Sequence, residues 1–583
     1  MIRTTITIDG KNVSNYEFTH VSLIQKIGGH HEFEVRFRQD PLRGVLGQTA
    51  DKWFGKKIKI GIGQELDINL DSVAIKELFE GVITSVFLSR QRGTGELVVA
   101  GKSTTIFLDD GPQTRSFTDK GLQEIVDEVC GAYSAPFKAA PAVVSKPLSY
   151  VVQYEESNWE FIKRLANQYG EWLYNDGKTL YFGKPAESPE IKLDFGAQGL
   201  YFFEMGLSAT PVKFKYFGYD YLKDQDQTEQ SPANAKTSEL GDKVRTISKR
   251  DLFSKDANFY AGGNMDAGDK ELKQMAVRRD QINADEMVLL NGSSRNANLV
   301  VGAKISIRDN ESGEDYGSFA IVHLSHSIGQ QGDYTNSFQA IPAEVETPPL
   351  TTMPRPPVAA MQLAKVTDVN DPEKLGRIRV SFTWQASNGE KTPWLRVASP
   401  YTGKDKGFYI IPEVGDQVVT AFEGNDPEKP YVLTGMYHGK AKPAWFEAKN
   451  RFKGFKSKAG NEWKFDDESK QIHINAPNKI LLTAGKTIEM HAGSKDKIGS
   501  IVMQENVINI NASNSGKIII NAEGGNVVLS ADKIYIMASE SIDGEAKKTI
   551  TLDSTMSLTL KGNKVSVEGG MMTDIKGGVI KLN

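Results

Sequence analysis

The sequence predicts a mainly β protein with a few helices, ending in an intertwined trimeric β-helix shaft. Three observations carry that expectation. From Gln471 onward the chain breaks into short apolar–polar–apolar runs, the period-two signature of strands with one buried face. Between residues 361 and 440, about five strand-like runs sit close together, enough for a small barrel of the oligonucleotide/oligosaccharide-binding (OB) kind. Upstream of residue 345 strand-like runs dominate, and three stretches carry helical signals.

The N-terminal elements follow in order. Ile6 and Ile8 alternate into Asp9-Gly10, a hairpin turn pair. Phe33, Val35 and Phe37 alternate, as do Ile58, Ile60 and Ile62. Residues 118–133 change period: Leu122, Ile125, Val126, Val129 and Cys130 fall on one helical face. Ser157 and Glu160 form a capping-box pattern, and Gly170 supplies a stop. Strands resume at Trp172–Tyr174 and at Val212, Phe214 and Tyr216. Residues 222–250 are polar and read as a long loop or irregular insertion. A helix is expected from Asp269 towards Asn283, and runs around Ile305, Ile307, Phe319, Ile321 and Phe338 complete a second β unit. Pro348-Pro349 and Pro354 to Pro357 mark an extended linker.

The shaft is argued from what it lacks. No Trp or Phe follows Phe465, and no amphipathic helix is available to cover a sheet. Its expected core residues are Ile472, Ile474, Ile519, Val527, Leu529, Ile534, Ile536, Ile550, Leu552, Leu558, Leu560, Val565 and Val567. One copy leaves that row in water. Three copies wound about a common axis bury it.

Composition narrows the function. The formal net charge is −4, so no bulk attraction to nucleic acid is implied. Residues 361–440 carry ten Lys/Arg and ten Asp/Glu, which leaves no basic track, and no nucleic-acid partner is expected. The one cysteine, Cys130, excludes an intrachain disulfide and sits on an apolar helix stripe as a small hydrophobe. Met1 to Gly10 alternates like a strand and lacks the apolar core of a secretory signal. No apolar run approaches the ~20 residues that span a membrane. The expectation is synthesis in the cytoplasm without a signal peptide, and export by a dedicated apparatus.

Candidate chemical constellations fail on spacing or setting. Gly101-Lys102-Ser103 resembles the end of a P-loop, but that motif needs Gly where Glu96 stands. Gly485-Lys486-Thr487 fails likewise at Ile480. His323 and His326, three apart on a strand, point to opposite faces and make a poor metal pair. His30-His31 beside Gly28-Gly29 reads as a loop. Asp371/Glu373 and Asp426/Glu428 flank prolines in Asp-Pro-Glu, so solvated turns are expected rather than a glycosidase pair. No catalytic residue, cofactor or metal is expected, and the chain is read as a non-enzyme.

Several runs closely resemble VgrG spike proteins of type VI secretion systems and related phage baseplate hub spikes. In the OB segment these are Pro393-Trp394-Leu395-Arg396-Val397, Ile411 to Val418, Phe422-Glu423-Gly424-Asn425-Asp426-Pro427 and Pro430 to Gly435. Upstream, Gln153 to Ser157 with Trp159-Glu160-Phe161, Gly170 to Tyr174, and Tyr334 to Phe338 with Pro342 resemble hub motifs. The resemblance implies a homotrimer whose two hub β-barrels per chain sit on a hexameric tube of Hcp-type proteins. It divides the chain into a first hub barrel (1–110), an α/β hub insertion (111–200), a second hub barrel with helix (201–345), a Pro-rich linker (346–360), an OB-fold collar (361–445) and a trimeric β-helix needle (446–583). A PAAR-type tip protein would dock on the blunt end, Val579, Ile580, Lys581, Leu582 and Asn583. Effectors or adaptors would ride with the spike, which would meet a target membrane transiently and finish outside the cell or in the target cell. The chain departs from the family in its loose shaft repeat and in having no His-x-His near the end. The alternatives are the hub spike of a phage tail or phage-like injection particle and, further off, a cell-wall lytic or glycan-binding tail protein.

Overall fold

The alternation of Ile6 and Ile8 is realised as the strand Ile2–Ile8, with both side chains buried. It pairs antiparallel with Lys57–Gln64, Ile6 opposite Ile60. Asp9 and Gly10 both take positive φ (53° and 74°), as the tight hairpin to Lys11–Asn12 requires. From Lys57–Gln64 the sheet continues through Lys76–Gln91, Thr94–Ser103, Glu32–Arg38 and Phe18–Lys26. Val21, Leu23, Phe33, Val35, Phe37 and Phe79 fill its concave side. In this computed structural model the described residues are 2–582, save 15–17, 39–51, 65–74, 92–93, 143, 145, 186–188, 197–198, 234–236, 263–268, 286, 350–355, 495–496, 505 and 513–515.

Six further strands close on themselves: Ile191–Phe195, Leu200–Leu207, Val288–Ser294, Tyr334–Pro342, Asp315–Gly329 and Lys304–Asp309. Closure follows because Lys304–Asp309 pairs with both Asp315–Gly329 and Ile191–Phe195. A closed barrel has no free edge. The two hub halves are not separate sheets, however. Asp315–Gly329 also pairs with Phe18–Lys26, His326 opposite Leu23, so one 13-stranded sheet runs through both.

Two sequence-based boundaries are corrected here. Ile191–Phe195 belongs to the closed barrel, so that barrel begins before residue 201 and the α/β insertion ends earlier. Residues 222–250 are not a loop. Gln225–Gln230 pairs with Phe214–Asp220, and a helix follows at Glu239–Ile247, continued by a π-helical turn at Ser248–Leu252. With Ala257–Gly262 and the helix Asp269–Asp285 they make a small module on a core of Phe214, Tyr216, Leu272 and Ala276. Hydropathy missed it because a buried ion pair holds it. Arg245 lies 2.8 Å from Asp280 and donates to the Pro232 and Ala233 carbonyls at 2.6 and 2.7 Å.

The α/β insertion matches its local signals. Ser157 Oγ accepts from the Glu160 N–H at 3.1 Å, and the Glu160 carboxylate accepts from the Ser157 N–H at 2.9 Å. The helix Asn158–Tyr169 ends at Gly170, whose φ of 72° favours glycine. Against it packs Leu122–Cys130. The linker is tethered at its start: Trp172 Nε1 donates to the Glu346 carbonyl at 3.1 Å, and Thr347 donates to Gln281 at 2.6 Å. Pro354 and Arg355 lie outside the described residues.

The collar is a four-stranded sheet ordered Arg379–Phe382, Gln362–Asp368, Gln417–Phe422, Pro430–Gly435. The expected strand around Trp394 to Val397 is reduced to two bridges, Ile378 to Leu395 and Val397 to Val432. Val366, Val380, Phe382, Val418 and Val432 form the core.

Met1–Pro443 and Ala444–Asn583 are separate compact units. In the second, two antiparallel meanders form within one chain: Phe452–Lys456, Glu462–Asp466 and Gln471–Asn475, then Thr487–Ser494, Lys497–Gln504 and Val507–Ala512. Gly460 and Lys470, at φ 90° and 56°, turn the first chain section back on itself. Residues 516–582 contain no strand paired within the chain.

The seam between the hub halves is expected to be acid-sensitive. His31 is fully buried with neither ring nitrogen hydrogen-bonded, and burial, then His30, His326 and Lys26, lowers its pKa to about 3. Burial lowers His326 likewise to about 3. The unfolded chain binds protons near 6.5, so between 6.5 and 3 it holds more protons than the fold. Stability is complete above pH 6.5 and declines by about 1.4 kcal/mol per pH unit for each histidine as pH falls. Urea midpoints measured from pH 7.5 to 5 should fall, and less steeply in His31→Leu. A flat profile contradicts this assignment.

Candidate functional site

The joint between hub and collar is built around Arg164 on the capped helix. Its guanidinium is 9% exposed and forks onto Glu156 at 2.8 and 2.9 Å. It also donates to the Val152 carbonyl at 2.7 Å and to Glu428 of the collar at 3.0 Å. Glu428 further accepts from the Val152 N–H at 3.3 Å. Burial pushes the Glu428 carboxyl upward, and Arg164 opposes that shift.

More polar contacts surround this centre. Gln385 Nε2 donates to Ser116 Oγ at 2.7 Å and Tyr150 Oη at 3.1 Å. Ser116 Oγ donates to Glu390 at 2.6 Å. From the 214–285 module, Tyr260 Oη donates to Glu423 at 3.1 Å, and the Ala261 carbonyl accepts from Lys429 at 2.8 Å. Arg377 bridges Asp371 at 2.7 Å and Tyr221 Oη at 3.0 Å. The arrangement fixes the collar to two different parts of the hub.

In each Asp-Pro-Glu motif one carboxylate departs from the solvated-turn expectation, while Glu373 is exposed and Asp426 is 38% exposed. Asp371 is 3% exposed, and although burial works against ionisation, Arg377 and backbone N–H groups hold it down at about 2. Glu428 is 13% exposed. Neither belongs to a carboxylate pair facing a cleft. Both are structural; Arg377, the partner of Asp371, is six residues away, whereas Arg164 lies 264 residues from Glu428 in sequence.

The other candidates are placed as follows. Cys130 is buried, and burial first raises its thiol to about 12, consistent with a small hydrophobe. His326 points inward, bonded to Tyr334 Oη at 2.8 Å, while His323 is half-buried, so the two do not converge. His30 is buried, stacked on Trp159 at 4.3 Å and bonded to Thr105 and Asp109 at 2.7 and 2.9 Å. Gly101-Lys102-Ser103 lies at the end of a sheet strand, not in a phosphate-binding loop. Among the described residues no group of three or more His, Cys, Asp or Glu is arranged for a metal, and no helix is long and apolar enough to cross a membrane.

The expected shaft core is bare in a single chain. Its residues range from 51% exposed at Ile534 to 80% at Ile519. Ile472 and Ile474 are also more than half exposed, although their strand pairs with Glu462–Asp466. At the C-terminal end Val579, Ile580, Lys581 and Leu582 are exposed, and Asn583 lies outside the described residues. Between 516 and 582 a single backbone–backbone hydrogen bond is seen among the described residues, Gly525 N–H to the Ala522 carbonyl.

A double hub sheet carrying a capped-helix insertion, followed by an OB barrel fixed onto it, defines a hub-and-collar protein of the baseplate class. Residues 26–332 match the phage tail baseplate hub (GPD) family, and the chain belongs to that family. Residues 362–437 match the type VI secretion system/phage-baseplate injector OB domain. Type VI secretion system spike protein VgrG4b of Pseudomonas aeruginosa is 27% identical over 383 residues, covering 56% of this chain and 45% of that protein. VgrG1a of the same species is 23% identical over 465 residues, covering 71% of this chain and 70% of the relative. The chain thus spans less than half the length of VgrG4b, and 32% of the actin cross-linking toxin VgrG1 of Vibrio cholerae. In fold, the Francisella PdpA–VgrG complex in its half-lidded form is similar at a TM-score of 0.55, with 10% identity and 88% of each chain covered.

Proposed function

We propose that the protein is the trimeric puncturing spike of a contractile type VI secretion tube. The observation that carries this reading is the strip from 516 to 582. There apolar side chains are exposed, and apart from a few local turn bonds the backbone polar groups are without intrachain partners. Pairing with other copies satisfies both at once, and winding three strands removes the edges that a flat pair would leave.

The rest of the reading follows the relatives. The hub receives an Hcp-type hexameric tube. The collar passes thrust from the hub, and the blunt end at Val579 to Leu582 receives a PAAR-type tip. Effectors or adaptors travel with the spike through a target membrane and leave the cell with it. The work is mechanical, without catalysis, cofactor or metal. The hub match is shared with phage tails, which supports a phage-like injection particle as the second reading.

Solution mass tests the proposal. Light scattering on the full chain should give about three times the 64.3 kDa subunit mass, a closed cyclic state. A stable monomer at micromolar concentration overturns it.

A further inference from the structure

Three lysines from three different elements face one cleft of about 510 Å³ in the hub. They are Lys26 at the end of Phe18–Lys26, Lys102 in Thr94–Ser103 and Lys163 on the capped helix. His323 joins them from Asp315–Gly329, His30 lines the cleft with its ring nitrogens bonded to Thr105 and Asp109, and Glu32 is the one acidic side chain in the lining. Among the described residues no carboxylate lies within ion-pair distance of any of the three lysines. Asp109 acts on Lys102 and Lys163 but is already engaged by His30 and Ser157, and Glu32 stands opposite Lys102 in the strand register.

Such a cluster has a cost that Asp109 and Glu32 offset only in part. Lys163 is half-buried, and burial, followed by repulsion from Lys26, lowers its pKa. His323 is lowered by burial and then by the same lysine. Neither the cores nor the collar joint uses these charges. Like charges gathered in a concave site favour a counter-charge there.

We infer that this cleft binds a multivalent oxyanion of the phosphate class. The ligand set supports that choice over a carboxylate. Lysines act as point charges that respond to total anionic charge, so three of them together favour a multiply charged phosphate over a singly charged carboxylate; the lining holds no arginine. The volume is in the range of small-molecule sites. With His323 neutral, three lysines against Glu32 leave a net charge of +2. Protonation of His323 adds one more, so a bound dianion draws a proton onto the ring.

Isothermal titration of the full-length protein with inorganic pyrophosphate tests the assignment. One site per chain is expected, tighter at pH 6 than at pH 8, with proton uptake on binding. Lys26→Gln/Lys163→Gln should weaken binding at least tenfold. It should also raise the thermal midpoint of the free protein, because repulsion is relieved. Lys57→Gln, at an exposed ion pair with Glu80, should change neither. ATP as a second titrant separates sources: equal affinity assigns the phosphate chain alone as the recognised group, and much tighter binding assigns a nucleotide. Unchanged pyrophosphate binding in the double variant overturns the proposal, as does saturable binding of a polyglutamate peptide with none of pyrophosphate.

Discussion

Leu558→Asp is expected to abolish the trimer, leaving a species near the subunit mass in light scattering. Leu558 and Leu560 flank Thr559 in a period-two run, so the two leucines share one face and the threonine takes the other. If that face lines the axis, three carboxylates are forced together in an apolar stack. Burying each without a partner costs several kcal/mol (about 3 or more), and mutual repulsion adds to it. Thr559→Asp is the control, placing the same charge on the outer face, and it should leave the trimer intact. Equal behaviour of the two variants removes the axial-core assignment. Val527→Asp should act as Leu558→Asp does.

Arg164→Met is expected to destabilise unit 1–443 by on the order of 3–5 kcal/mol, because it leaves Glu156 and Glu428 buried without their counter-charge. The loss should appear as a lower midpoint in chemical unfolding and as faster amide exchange around Val152 and Glu428. Adding Glu428→Gln should recover part of it, since a neutral amide needs no cation. Arg164→Lys should recover little, because an ammonium cannot fork onto Glu156 while also reaching Val152 and Glu428. Wild-type stability in Arg164→Met removes the joint from the force path.

What the sequence disclosed was local. The capping box at Ser157 and the glycine stop at Gly170 are written within one helix length, and both appear as expected. Alternation at Ile6/Ile8 and Phe33/Val35/Phe37 marks buried faces regardless of partner. The partner itself is not written there. His20 to Lys26 and His323 to Gly329 would alternate equally well against any other strand, so their pairing, and with it the fusion of the two hub halves, was not legible. Glu428 was missed for the same reason: a turn composition says nothing of an arginine 264 residues away. In the shaft, the bare Ile/Val strip was legible, but the meanders of 452–475 and 487–512 were absorbed into it because their periodicity is the same.

The seam that joins the hub halves also sets an order of events during synthesis. The strand Phe18–Lys26 emerges from the ribosome early, but its partner Asp315–Gly329 follows roughly 300 residues later, about 15 to 60 s at ordinary elongation rates. Throughout that interval one side of Phe18–Lys26 is an unpaired edge, open to the wrong neighbour. Correct closure of the hub is therefore a late event in each nascent chain. Residues 516–582 emerge later still, so in the proposed trimer hubs that have each closed alone would be brought together only afterwards. Assembly order is thereby written into the strand order: the part that seeks other copies is made after the part that must avoid them.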